Sequence, residues 1–309
     1  MPDCLAPYHI QTHNKNTMTQ LTSYLFRCLL VCTVALCSLT IKTADAQQAA
    51  IQEPELARII KGEHNHVFQV ALIRYEPRTG GSDRFVDLVS AVHIGDAQYY
   101  QDLNQRFTQY DAVLYEAIKP KDAVLPTSST GKKSGLSAFQ SGMADFLGLV
   151  FQMDHVDYSP SNFLHADLSP KEFMQSMENK GESIFSMVFN VWRASLSQGL
   201  TGQTPISNFE VMSALMAADR QDAFRKLMAT AMMDFDSLKV LEGSEGSTII
   251  AARNDRALSV LSQVLKDADK QSIAIFYGAG HLPDFHEKLV KRFDMVPVAT
   301  EWLDVWTFK

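Results

Sequence analysis

Beyond residue 46 this chain has no cysteine. All four, Cys4, Cys28, Cys32 and Cys37, fall in the amino-terminal leader. That excludes disulfides, thiolate metal ligands and a cysteine nucleophile from the body of the protein in one step. The body has 263 residues (309 less 46), enough to build a core without disulfides. A strong charge of either sign is also missing. With Lys15, Arg27, Lys42, Asp3 and Asp45 set aside in the leader, 25 Lys and Arg stand against 33 Asp and Glu. No basic stripe points to nucleic acid, and no segment after the leader is apolar enough to span a membrane. Common catalytic motifs are absent too. Gly131-Lys132-Lys133-Ser134 lacks the upstream glycine of a phosphate loop and has Lys in the Ser/Thr position. Gly135-Leu136-Ser137-Ala138-Phe139 lacks the closing glycine of a nucleophile elbow. There is no H-E-x-x-H and no G-x-G-x-x-G.

The leader itself is informative. Leu25 to Ile41 is apolar apart from Arg27 and a few small polar residues, a charged and polar stretch precedes it, and Ala44-Asp45-Ala46 follows in an A-x-A cleavage pattern. This is the layout of a signal peptide over residues 1–46, cleaved after Ala46; counted from Met18 it has ordinary length. The alternative is an anchoring helix, for which the apolar run is short against a span of roughly 20 residues. Leu36 before Cys37 fits a lipoprotein poorly. The expected location is exported, periplasmic or secreted, with no stable membrane span after cleavage. Residues 47–309 are expected to form a single domain.

Within that domain, Val67 to Tyr75 and Arg84 to Ile94 read as strands around the turn Thr79-Gly80-Gly81-Ser82-Asp83. Asp96 is a plausible N-cap for a helix through about Gln109, with Tyr99, Tyr100, Leu103 and Phe107 on one face. Asp111 to Ile118 reads as a buried strand, so this strand, helix, strand order predicts a βαβ unit with parallel strands. The middle, about 136–241, is mostly helical in pattern and rich in Met and Phe, with a short strand expected at Asn162 to His165 and a two-helix hairpin within Phe209 to Leu241. Thr248 to Asp267 reads as a helix, Ser272 to Tyr277 as a buried strand, Leu282 to Arg292 as a helix and Met295 to Phe308 as a final strand or hairpin. The predicted class is α/β: two βαβ-type halves forming one mixed sheet, with a long helical insertion between them.

Two turns resemble each other. Ser90-Ala91-Val92-His93 and Gly278-Ala279-Gly280-His281 each follow a strand-like run and precede a helix-like one. Open α/β sheets place their ligands at such carboxyl ends of strands. Glu116 is the only charge in its run after Asp111, and a carboxylate there is costly to bury unless a cation, a metal or hydrogen-bond donors meet it. Arg253, in Ala251-Ala252-Arg253-Asn254-Asp255-Arg256, offers a fork of donors for Glu116 or for a substrate oxyanion; the alternative is a surface Arg paired with Asp255 or Glu245. His165, at the end of Phe163-Leu164-His165, is a further strand-end ligand candidate, with a core or surface role as its alternative. His93 and His281 taken singly read as core histidines as readily as ligands. Taken together with Glu116, they point to a site of N and O donors.

In order and type, His93 after a strand, Glu116 on the next, Arg253-Asn254 at a helix start and Gly278-x-x-His281 resemble the TraB/PrgY/GumN family. That family includes the Tiki proteases and belongs with the erythromycin-esterase and ChaN-like superfamily. The segment Tyr277 to Pro283 carries the best match, and the resemblance covers roughly 67–118 and 248–309. It implies a metal-dependent hydrolase of peptidase type. Carried over, His93, Glu116 and His281 would be metal ligands and Glu116 and Arg253 catalytic residues; His165 stays a candidate ligand from its strand end alone, and a set of N and O donors admits a divalent Mn, Co, Zn or Fe. Two positions depart from the pattern. Ser90 replaces the first glycine, and Ala252 stands where many members carry Glu, so no acid/base role transfers to position 252. A peptide or small molecule is the expected substrate. The competing expectation is a non-catalytic protein that binds a peptide, haem or metal, and behind it a degenerate scaffold with structural histidines.

Overall fold

The computed structural model describes residues 54–81, 83–120, 123, 146–181, 208–233 and 248–309. The expected signal peptide, residues 1–46, lies outside them, as does much of the expected insertion. Glu53–Lys309 form one compact unit.

A seven-stranded mixed sheet is the frame, and the α/β class expected from the pattern is what the chain adopts. Its strands are β1 (Ala57–Lys61), β2 (His66–Pro77), β3 (Phe85–Ala91), β5 (Ala112–Tyr115), β7 (Phe163–His165), β8 (Ser272–Gly278) and β9 (Met295–Phe308). A separate two-stranded ribbon pairs β4 (Ile94–Gly95) with β6 (Val150–Phe151). In the sheet, β9 runs antiparallel along the whole of β2, and β1 and β3 share the other side of β2, one after the other. Then β8, β5 and β7 follow β3, all parallel. The helices are α1 (Ala97–Phe107), α2 (Gln152–His155), α3 (Pro170–Asn179), α4 (Asn208–Met216), α5 (Arg220–Met232), α6 (Arg253–Val264) and α7 (Leu282–Arg292).

Both faces of the sheet are covered, which is why its parallel strands read as continuous apolar runs. Side chains alternate between the faces. Phe68, Val70 and Leu72 of β2, with Ala274 and Phe276 of β8, join a core closed by Tyr99, Tyr100, Leu103 and Phe107 of α1. Ala71, Ile73 and Tyr75, with Ile273, Ile275 and Tyr277, join a second core closed by Leu258 and Leu261 of α6 and Phe285 and Leu289 of α7. His286, on the inward side of α7, meets the Tyr75 hydroxyl at 2.8 Å through Nδ1.

Several expectations are corrected. β3 and β5 run parallel, as the βαβ reading expects, but they are not adjacent: β8 lies between them and pairs with both, so the crossover through α1 skips one strand. Asp96 stands at the start of α1 but does not cap it. Its carboxylate accepts from the Thr307 N–H and lies 3.7 Å from the Arg225 guanidinium, so tertiary partners outcompete the local cap. Of the two forms expected for Met295–Phe308, the strand is found, 14 residues long. In the described part of the middle, β6 and the sheet strand β7 accompany helices α2 to α5, β7 at the expected place. α4 and α5 are packed against each other as a pair. α3 begins with a capping box between Ser169 and Glu172. Ahead of α6, Thr248–Ala252 form a π turn, so the helix expected from Thr248 begins with a bulged segment and Arg253 opens its regular part, as expected. Such turns widen a helix locally and re-aim the residues beside them.

Candidate functional site

Because β3, β8, β5 and β7 are parallel, their carboxyl ends share one edge of the sheet. That edge carries His93 two residues past β3, Gly278 at the end of β8, Glu116 just after β5 and Asp167 two residues past β7. Arg253 and Asn254 reach it from α6, and His281 from the short 3-10 turn Ala279–His281 that joins β8 to α7.

Arg253 is the hub. Its Nε donates to Asp167 Oδ1 at 3.0 Å, and its Nη2 donates to Asp167 Oδ2 at 2.6 Å and to Glu116 Oε1 at 2.7 Å. The other Glu116 oxygen accepts from the Gly278 N–H at 2.7 Å. Gly278 has a role here: a Cβ on it would lie 3.3 Å from Glu116 Oε2, so the missing side chain lets the carboxylate reach the backbone. Asp167 is held in turn, accepting from the Leu168 N–H at 2.7 Å, while Tyr277 donates to the Ala166 carbonyl at 2.6 Å. Asp167 is fully buried and Arg253 nearly so. This is a largely buried, charge-assisted network with fork geometry.

His281 sits beside it. Its Nδ1 lies 2.6 Å from Asn254 Oδ1, and Asn254 Nδ2 donates to the His281 carbonyl at 2.9 Å and to Asp284 Oδ2 at 2.7 Å. Both amide hydrogens are therefore committed to acceptors, so Oδ1 faces the ring and accepts from Nδ1–H. The Nε2 lone pair then points at the charged group, 3.7 Å from Glu116 Oε1 and 3.5 Å from Arg253 Nη1. Burial lowers the His281 pKa more than the Glu116 charge raises it, to about 4, so the ring is neutral near pH 7. For Glu116, burial pushes the carboxyl up. The charge of protonated His281, the Arg253 guanidinium, the Gly278 N–H and, less strongly, His93 outweigh it and hold the pKa at about 2. Arg253 is pushed down by burial but raised overall by Asp167 and Glu116, and stays charged.

His93 is the exposed member of this edge. Its Nδ1 lies 3.2 Å from Gln152 Oε1, whose Nε2 donates to the Tyr158 hydroxyl at 2.9 Å. The turn before it is pinned by Tyr99 donating to the Ser90 carbonyl (2.6 Å) and Tyr100 to the Val92 carbonyl (2.8 Å). Ser90, in the glycine's place, is buried and donates across the sheet to the Ala71 carbonyl at 2.7 Å. His165 is not drawn in. Its Nε2 bonds the Ala117 carbonyl at 2.7 Å, and burial lowers its pKa. Asp255, the expected alternative partner of Arg253, bonds Lys288 and Arg292 instead.

The expected metal ligands do not fit a cation in this arrangement. Both oxygens of Glu116 are taken by N–H donors, and the guanidinium stands within 3.5 Å of His281 Nε2 and within 2.7 Å of Glu116. Among the described residues no group of three or more His, Asp or Glu is placed to hold a metal ion. Also among them, no helix is long and apolar enough to cross a membrane.

The sequence reading missed Asp167, Gln152 and Asp284, and gave Asn254 no role beyond its place in the resemblance. Asp167 carried a signal: it is two residues beyond a strand-end His, on the same edge as Glu116. The others are amide or helix-face residues whose roles arise only from tertiary contact. No known family, curated protein or solved structure matches the chain.

Proposed function

We propose that this protein is an exported hydrolase acting on the acyl group of a peptide or small molecule, with His281 as its base. The observation that carries the reading is the neutral, buried imidazole whose Nε2 lone pair faces a carboxylate and a guanidinium at 3.7 and 3.5 Å. A water at Nε2 loses a proton to His281 as its oxygen attacks the substrate carbonyl. The developing oxyanion faces Arg253 Nη1, the arm not used by Asp167 or Glu116; its long contact with His281 Nε2, at 3.5 Å, gives way to the entering water. His281 then returns the proton to the leaving group, giving a carboxylic acid and an alcohol or amine. Glu116, with its pKa near 2, takes no proton; it favours the imidazolium as that charge forms and aligns Arg253. Export rests on the leader alone, through its apolar run and A-x-A pattern.

A second reading is the divalent-ion hydrolase that the family resemblance implies, with Mn, Co, Zn or Fe. It is favoured by one observation. His93 and His281 both bond a side-chain amide oxygen through Nδ1, an anchoring that metal-bound histidines commonly have. A cation there requires Arg253 to leave Glu116.

The test is hydrolysis of a panel of chromogenic esters and quenched peptides by the purified protein. It is run after chelation and again with each divalent ion, alongside His281→Ala. Turnover that survives chelation and is lost in His281→Ala supports the first reading. Turnover that needs an added ion supports the second. No turnover under any condition, with a peptide or haem co-purifying, overturns both in favour of a binding protein.

A further inference from the structure

The proposed base works only if Nε2, and not Nδ1, is the bare nitrogen of His281, and the fold contains a device that settles this. Asn254 is fully buried, and its amide has two possible orientations. In the observed one, Nδ2 meets two acceptors, the His281 carbonyl and Asp284 Oδ2, and Oδ1 meets the ring. Turning it over would set Oδ1 against a carbonyl and a carboxylate and present N–H groups to Nδ1, leaving buried groups unpaired. Asp284 is in turn held by Lys288, whose buried side chain reaches Asp284 Oδ2 at 2.7 Å and Asp255 Oδ1 at 2.9 Å; Asp255 also bonds Arg292 at the surface. A line of contacts therefore runs from the outer end of α7 through Lys288, Asp284 and Asn254 to the ring.

The geometry points to Asp284 as a positioning residue: through Asn254 it fixes His281 in the Nδ1–H tautomer and aims the bare Nε2 at Glu116 and Arg253. This deepens the hydrolase reading and rests on it for its consequence, but not for its test. Nothing in the sequence marks Asp284, three residues beyond His281 in the first turn of α7, as part of the site. Its carboxylate touches none of the groups proposed to react.

The experiment is ring-nitrogen NMR of the full chain labelled with 15N-histidine near pH 7.5, the His281 signals being assigned by their loss in His281→Gln. In the wild type, the expected spectrum has Nδ1 protonated and Nε2 in the high-frequency position of a bare ring nitrogen. Asn254→Ala releases the ring, and Nε2 shifts toward the protonated position that free imidazole side chains prefer. Asp284→Ala gives a smaller shift in the same direction, since the His281 carbonyl still holds one amide hydrogen. Asp284→Asn, whose amide oxygen accepts the same bond, restores the wild-type pattern, which a merely structural role would not require. A wild-type His281 protonated on Nε2 overturns the inference without reference to any variant. An Asp284→Ala protein with the wild-type ring pattern overturns the role of Asp284. The expected spectra in a protein that hydrolyses nothing leave this inference standing and remove the hydrolase reading alone.

Discussion

The two histidine turns look alike in sequence and are built to different ends. Both leave the carboxyl end of a parallel strand, on neighbouring strands β3 and β8, and both bond a side-chain amide through Nδ1. The His281 turn keeps its glycine because a carboxylate needs the space: Gly278 donates its N–H to Glu116, and no Cβ intervenes. The His93 turn has Ser90 at that position, and there the side chain points away from the site into a buried bond with Ala71. His281 is 5 % exposed and surrounded by charge, whereas His93 is open to solvent. One turn is thus held in a buried, charged setting, and the other lies open to solvent. Similar sequence did not supply similar backbone either: His281 ends a 3-10 turn that runs into α7, while His93 leads into β4.

The comparison can be broken most forcefully at the hub. Arg253→Met leaves Asp167 and Glu116 buried without their cation, and the expected loss is about 3–5 kcal/mol of folding stability, read from denaturant midpoints. An effect below about 1 kcal/mol would mean that the charges are reached by solvent. Next comes the pair of histidines. His281→Ala is expected to lower kcat/KM by roughly 10²–10⁴, the usual contribution of a general base, while His93→Ala costs less than about tenfold, or ~1.4 kcal/mol. Equal losses would erase the distinction between the turns.

Acid sharpens the same contrast. A group whose pKa is lowered on folding binds fewer protons folded than unfolded between its two values, so stability rises with pH across that interval. For His281 the interval runs from 6.5 down to about 4, and for Glu116 from 4.5 down to about 2. Stability contributed by these groups is complete above pH 6.5 and is lost as pH falls, first through His281 and then through Glu116. Urea midpoints across pH 7 to 4 should therefore fall less steeply in His281→Gln than in the wild type. Parallel curves would contradict the buried, neutral imidazole. The smallest effect is expected at the other turn. Ser90→Gly forfeits one buried hydrogen bond and loosens a strand, at about 1–2 kcal/mol together, with hydrolysis unchanged.

What was legible in the sequence, and what was not, follows from how local each signal is. Strands buried on both faces write themselves as apolar runs, so β3, β5 and β8 are readable, and Glu116 stands out as the charge that ends one. Helix α1 is readable from Tyr99, Tyr100, Leu103 and Phe107, which the fold buries together. The order of parallel strands is not local: nothing between Phe85 and Tyr115 states that a strand from residue 272 onward will enter between them. Asp96 looks like a cap because the choice between the α1 amides and Thr307, 211 residues away, is made by tertiary packing. Asp167 was hidden by its neighbour. His165 has the more suggestive side chain, but strand-end geometry turns it to the Ala117 carbonyl and gives Arg253 to Asp167.

The central claim is that the reactive centre lies at the β8 end of the sheet edge, on His281, and not at the β3 end, on His93. The most direct measurement is the turnover of one responsive ester or peptide by wild type, His281→Ala and His93→Ala, each shown to be folded by circular dichroism. The account predicts at least a hundredfold loss in His281→Ala and less than tenfold in His93→Ala. Wild-type turnover in folded His281→Ala would contradict it.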